Sequence, residues 1–197
     1  MISILILTKD EEINIQACID SVNWSNDIVV LDSLSTDKTI HIAKNNKARI
    51  VERKFDNWAS HQNWALRNIK FKNRWVLYID ADERVSAELK EEIFNNIKNV
   101  DDDTVAFNIY RRDYWGKTWL RHVQATSLYT RLFIPKYISY KRLVNPITLV
   151  NGKTLRLKGY LRHYTFAKGI YHWFDKHNSY STFEAMQDGE DKKEKII

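Results

Sequence analysis

The sequence predicts an α/β fold: a doubly wound, mostly parallel sheet flanked by helices. Two observations carry that expectation. Short apolar runs alternate with stretches of helical spacing through residues 1–110. Strands joined by helices need crossover connections, which make neighbouring strands parallel. The runs are also apolar at nearly every position, as in strands covered on both faces.

Residues 2–7 form the first run, and helical spacing follows over 11–22. Residues 27–31, with Ile28, Val29, Val30 and Leu31 in succession, are the second strand. A helix over 37–46, a strand over 48–52 and a helix over 58–68 come next. Residues 75–79 are a fourth strand, 87–98 a helix and 104–110 a fifth strand. Residues 111–165 are rich in Arg, Lys, Tyr and Trp and are expected to be less regular. A helix over 168–185, with Ile170, Trp173, Phe174 and His177 on a packing face, precedes a charge run over 188–195. That run is expected to be solvated and mobile. The expected organisation is one domain over 1–197: a ligand-binding half over 1–110, a second half over 111–187 and a charged tail over 188–197.

Composition narrows the class. Of 197 residues, 44% are hydrophobic and 28% charged, which suits a globular chain with a sizeable core. The net charge of +6 favours anionic partners. The single cysteine, Cys18, excludes an internal disulfide and falls in an apolar helical pattern, where a buried thiol is expected. The apolar start lacks a basic leader and is too short to span a bilayer, so a cytoplasmic protein, soluble or peripheral, is expected. Phosphate-binding glycine loops, C-x-x-C pairs and G-x-S-x-G are absent. P-loop kinases, nicotinamide dehydrogenases, structural zinc sites and serine hydrolases are thereby disfavoured. No nucleic-acid recognition motif is present.

The chemistry-bearing residues follow the strands, where an open α/β sheet binds its ligands. After the run 75–79 comes Asp80-Ala-Asp82-Glu83. Two carboxylates at a strand end can hold Mg²⁺ or Mn²⁺ against a diphosphate. They also suit the start of the helix at Ala87. After 27–31 comes Asp32-Ser-Leu-Ser-Thr-Asp37-Lys-Thr39. Helix capping accounts for Ser35, Thr36 and Asp37. Asp32 is left over at the ligand edge, where a carboxylate can accept from a base or a ribose hydroxyl. The first run is followed by Thr8-Lys-Asp-Glu-Glu12, again either a helix start or a ligand contact.

In this order the three motifs resemble the family-two inverting glycosyltransferases of the GT-A fold. "SILILTKDEEINIQACIDSV" is similar to that family's opening, with Asp10 in place of its usual Asn. "FDNWASHQNWAL", "WVLYIDADERVSAEL", "RRDYWGKTWLRH", "YTRLF", "NPITLVNGKTLRLKGYLRHYTF" and "HWFDKHNSYSTFEA" resemble the subgroup building lipopolysaccharide core, including core β-1,4-glucosyltransferases. The resemblance implies transfer of a sugar, with UDP-hexose as the expected donor, to a lipopolysaccharide core or other surface glycan. A lipid-linked acceptor would imply peripheral contact with the inner membrane. Residue by residue it implies nucleoside contacts from Thr8, Glu11 and Asp32, and base or diphosphate contacts from Gln62 and Asn63. Asp80 and Asp82 would lie at the ribose and the metal, and His163 would complete the metal site.

An inverting transferase needs a base for the acceptor hydroxyl. Related sequences carry an acid before the "ITL" run, where this chain has Asn145. Glu83 and Asp113 are the substitutes considered, with Asp82 as the other catalytic candidate. The alternative is an impaired GT-A module that binds glycan or a partner enzyme. A sugar nucleotidyltransferase fits less well, because it would show glycines after the first strand. The family also continues past "STFEA", a segment expected to carry acceptor or membrane contacts.

Overall fold

The computed structural model describes residues 1–122 and 127–194. The predicted parallel strands are β1 (Ser3–Thr8), β2 (Ile28–Asp32), β3 (Arg49–Glu52) and β4 (Val76–Asp80). They lie in the order β3-β2-β1-β4, every pair parallel. Helices α1 (Ile15–Val22), α2 (Thr39–Asn45) and α3 (Trp58–Asn68) make the crossovers.

The runs are apolar throughout because alternate side chains enter two cores. Ile4 and Ile6 pack with Ile15, Cys18, Ile19 and Val22 of α1. That i, i+3, i+4, i+7 spacing is one face of a helix. Leu5 points the other way, to Val29, Leu31 and the α3 residues Ala59 and Ala65. Each fully buried Leu, Ile or Val contributes about 1.5–3 kcal/mol, so a polar residue at these positions is excluded energetically. Cys18 is buried, as its pattern predicted, and burial pushes its thiol up.

Two helices start later than their spacing suggested. Residues 10–12 are drawn into contact with 35–39 instead of winding into α1. Asp10 adopts φ 51, a left-handed conformation that Asn and Asp tolerate best among residues with a side chain. Its Oδ1 accepts from Thr36 N at 2.6 Å, and Glu11 N donates to Thr39 Oγ1 at 2.7 Å. Asp37 Oδ1 accepts from Thr39 N at 2.9 Å, and α2 begins there.

After β4 come a short strand β5 (Glu83–Val85), the expected helix as α4 (Ala87–Asn99) and the expected fifth strand as β6 (Thr104–Trp115), which runs five residues further than its spacing suggested. The second half is more regular than expected, with β7 (Thr118–Trp119), β8 (Ser127–Phe133), β9 (Ile138–Lys141), β10 (Ile147–Val150) and β11 (Lys153–His163). The sheet runs β3-β2-β1-β4-β8-β6-β11-β5, with β7 on β6; β9 and β10 form a separate ribbon. β8 is antiparallel to β4 and β6, β11 is parallel to β6, and β5 is antiparallel to β11. The strand period is masked because cations and aromatics cover the sheet together. Arg112 of β6 lies 4.1 Å from the Trp119 ring and 3.6 Å from the Tyr160 ring.

β11 slips register between Arg156 and Tyr160. Lys158 N and Gly159 N turn instead to the Glu92 carboxylate of α4, at 2.8 and 2.7 Å. A Cβ on Gly159 would stand 3.0 Å from Leu89 Cα, so glycine lets α4 approach. Helix α5 (Ile170–Glu194) outruns its predicted end and takes in the charge run as far as Glu194. Residues 195–197, the end of the predicted tail, lie outside the described residues. Among the described residues no helix is long and apolar enough to cross a membrane.

Candidate functional site

Register brings the three strand-end motifs to one rim. Thr8 pairs with Asp32 across β1 and β2, and Leu7 with Asp80 across β1 and β4. A cleft of about 1120 Å³ opens there, lined by Thr8, Glu11, Asp80, Asp82, Arg131 and His163 among others. Strand carboxyl ends are where such sheets receive ligands. The helix after the acidic motif is capped by Ser86, whose Oγ accepts from Leu89 N at 3.2 Å. The acids are therefore free of capping duty.

Asp82 faces His163, with Oδ2 3.2 Å from Nε2. Behind the imidazole, Nδ1 lies 2.5 Å from Asp113 Oδ1. Burial opposes charge on His163, but Asp82 and Asp113 outweigh it and raise the ring to about 9. Burial likewise opposes charge on Asp82, and His163 outweighs it, holding the carboxyl well below its usual range. Tyr164 N donates to Asp82 O at 2.9 Å and fixes the backbone of the motif.

Asp80 does not join this pair. Its Oδ1 accepts from Tyr78 Oη at 2.9 Å and its Oδ2 from Arg131 Nη2 at 2.9 Å. The metal set expected at Asp80, Asp82 and His163 is therefore not assembled; among the described residues no three such side chains converge on one point. What converges is Asp82 with His163. A carboxylate behind a histidine orients the other ring nitrogen toward a cation, and Mg²⁺ or Mn²⁺ with few protein ligands takes the rest from phosphates and water. The donor set fits a cation of that kind.

Glu83 and Asp113, the candidate bases, do not line the cleft. Glu83 is fully buried; Oε1 accepts from Arg131 Nη2 at 3.0 Å and Oε2 from Asp80 N at 3.0 Å. Asp113 is spent on His163. Both stand behind the wall, holding the cations that face inward.

The nucleoside-side residues divide. Thr8 and Gln62 line the cleft, and among the described residues Thr8 Oγ1 and Gln62 Oε1 are buried without a partner. Buried polar atoms are nearly always bonded, so these suit a ligand. Gln62 Nε2 donates to Tyr78 Oη at 2.9 Å, the hydroxyl that in turn meets Asp80. Glu11 lines the cleft and pairs with Lys168 at 2.6 Å. Asp32 is fully buried and does not reach the cleft. Its carboxylate accepts from Ser35 N at 2.7 Å and Ser35 Oγ at 2.5 Å. Asn63 is on the other side of α3, bonded both ways to the Tyr140 backbone at 2.8 and 2.9 Å. It lines a separate cavity of about 700 Å³.

Several site residues escaped the sequence reading. Helix α5, expected to offer a packing face, lines the cleft with His172, Lys176 and Tyr180. No spacing rule distinguishes these from the aromatic pattern around them. His61 also lines the cleft. Its Nδ1 accepts from Arg53 Nη1 at 2.8 Å, leaving the proton on Nε2, 3.4 Å from Ser33 Oγ. Burial and the Arg53 charge push His61 down to about 4.

The unfolded state therefore takes up a proton on His61 between about pH 6.5 and about 4, where the folded state does not. The expected result is a loss of stability as pH falls through that window. His61→Gln should flatten that part of a melting temperature against pH profile. An unchanged slope would reject the assignment.

The family model described as "Glycosyl transferase family 2" matches residues 3–164. A Rickettsia typhi protein named as an uncharacterized glycosyltransferase is 31% identical over 201 residues, covering 93% of this chain and 66% of its own length. This chain thus spans about two thirds of that relative. The Rhizobium meliloti lipopolysaccharide core biosynthesis glycosyltransferase LpsC is 28% identical over 118 residues, covering 57% of this chain and 43% of its own. Among solved structures, S. aureus TarS 1-349 in complex with UDP-GlcNAc matches with TM-score 0.59 and 15% identity, covering 83% of this chain and 58% of that one.

Proposed function

This chain belongs to glycosyl transferase family 2, and on that premise we propose that it moves a hexose, with inversion, from a UDP-sugar to a lipopolysaccharide core or other surface glycan. The observation that carries the reading is the Asp82–His163 pair in the wall of the cleft, with Asp80 also lining it. LpsC supports the glycan class and TarS supports the fold. The exposed Trp115, Tyr171 and Phe174, with the chain's positive charge, suit a lipid-linked acceptor at the cytoplasmic face of the inner membrane.

In this reading Asp82 and His163, the latter as its neutral imidazole, would hold Mg²⁺ or Mn²⁺, which would supply positive charge for a departing diphosphate. Asp113 keeps the His163 Nε2 turned to the cleft. Arg131 holds Asp80 in place at the rim. Thr8 Oγ1 and Gln62 Oε1 bond the nucleoside. The acceptor oxygen attacks the anomeric carbon, its proton leaves to a base, and the electron pair of the broken bond stays on the diphosphate.

A thermal-shift screen of UDP, GDP and dTDP with and without Mn²⁺ tests this. UDP with Mn²⁺ at about 100 times Kd should raise Tm by about 5–10 °C, and more than UDP alone. No shift with any nucleotide would reject the donor site. Asn145 at the cleft wall favours the impaired-module reading, and Mn²⁺-dependent release of sugar from a UDP-sugar would exclude it.

A further inference from the structure

Three carboxylates of the cleft each have their own partner. Glu11 meets Lys168 at 2.6 Å, Asp80 meets Arg131 at 2.9 Å, and Asp82 meets His163 at 3.2 Å. Lys176 arrives from α5 as an additional cation lining the same space. Its ammonium lies 5.9 Å from the centre of the Tyr180 ring, one helical turn on. Among the described residues it forms no ion pair within 4.0 Å, so no carboxylate has claimed it. Cations outnumber carboxylates along the whole lining: Lys9, Arg111, Arg131, Lys168 and Lys176 against Glu11, Asp80, Asp82 and Asp175.

We propose that Lys176 binds the donor's diphosphate, its ammonium contacting the phosphate oxygens that keep the electron pair when the sugar leaves. This rests on the donor reading above and adds to it a residue supplied by the helix that walls the cleft. A lysine stem lets the charge reach the floor while the helix stays outside, and a compact ammonium suits a phosphate oxygen as a point charge. The surrounding acids fit the role too. Burial alone would lower Lys176, but Asp82, Tyr180, Asp80 and Glu11 outweigh it and keep the amine charged. The ammonium is thus ready before any ligand arrives.

The test compares uridine, UMP and UDP by calorimetry at fixed Mn²⁺, with GDP and guanosine as a second series. Lys176→Met should weaken UDP about 10- to 100-fold, as expected for one charge-assisted contact, and leave uridine unchanged. Lys176→Arg should recover part of the loss. Equal weakening of uridine and UDP would show a merely structural role and overturn the proposal, as would wild-type affinity for UDP. Wild-type protein that binds none of the nucleotides would instead bring down the donor reading itself. Circular dichroism of both variants confirms that α5 is retained.

Discussion

Replacing Asp82 by Asn should lower sugar transfer by about 10²–10³-fold while leaving the fold intact. The magnitude is that of removing one group aimed at charge developing in a transition state. The side chain keeps its volume and its place, because Tyr164 N holds the Asp82 backbone at 2.9 Å and β5 pairs with β11 beyond it. What changes is the partner of His163. The imidazole loses the Asp82 carboxylate and keeps Asp113, which lies 2.5 Å from Nδ1. The cation loses its carboxylate ligand, so Mn²⁺ should bind more weakly as well. Nucleotide release measured at saturating Mn²⁺ separates the two losses. Near-normal release from Asp82→Asn would sink the metal assignment.

The largest effect on stability is expected at Arg131. Its guanidinium bridges Asp80 and Glu83 at 2.9 and 3.0 Å and lies 4.2 Å over the Tyr78 ring. Glu83 has no exposed surface. Arg131→Met would fill much of the space and leave a buried carboxylate without its cation. Breaking a buried pair from one side costs about 3–5 kcal/mol, a large share of the 5–15 kcal/mol typical of a domain. Urea unfolding measures it directly. The double variant Arg131→Met with Glu83→Leu should recover much of the loss, since the penalty lies in the stranded charge. A single variant within about 1 kcal/mol of wild type would contradict this account.

The parallel half was legible because its strands are covered on both faces. Burial there dictates apolar residues at every position, and such runs are visible in any sequence. The start of β6 was legible as the strand over 104–110, but its continuation to Trp115 and the whole of β11 hid because their exposed positions carry Arg, Lys and Tyr, which pack through stems and rings. The acidic motif was legible from its place after a buried strand. The duties of its members were not, because those depend on distant residues. Arg131 of β8 takes Glu83 and Asp80, and His163 of β11 takes Asp82. Gln62 and Asn63 are neighbours in sequence, yet a helix turns each residue about 100° from the last and sends them to different cavities. Asp32 reads as a rim acid, but Ser35 bends back and takes both its oxygens. Lys176 carried no signal at all, since only the docking of α5 gives it a place.

The pairing of β6, β11 and β5 sets Asp113, His163 and Glu83 side by side in one row. These residues stand 50 and 80 positions apart along the chain. Non-local pairings of this kind are slow to close, because loop entropy must be spent before they reward it. During synthesis the growing polypeptide can complete β1 to β4 early, yet it gains the row only after residue 163 has emerged. Chemical competence therefore comes late in assembly. A chain arrested before β11 would lack both the histidine that faces Asp82 and the helix α5 that walls the cleft.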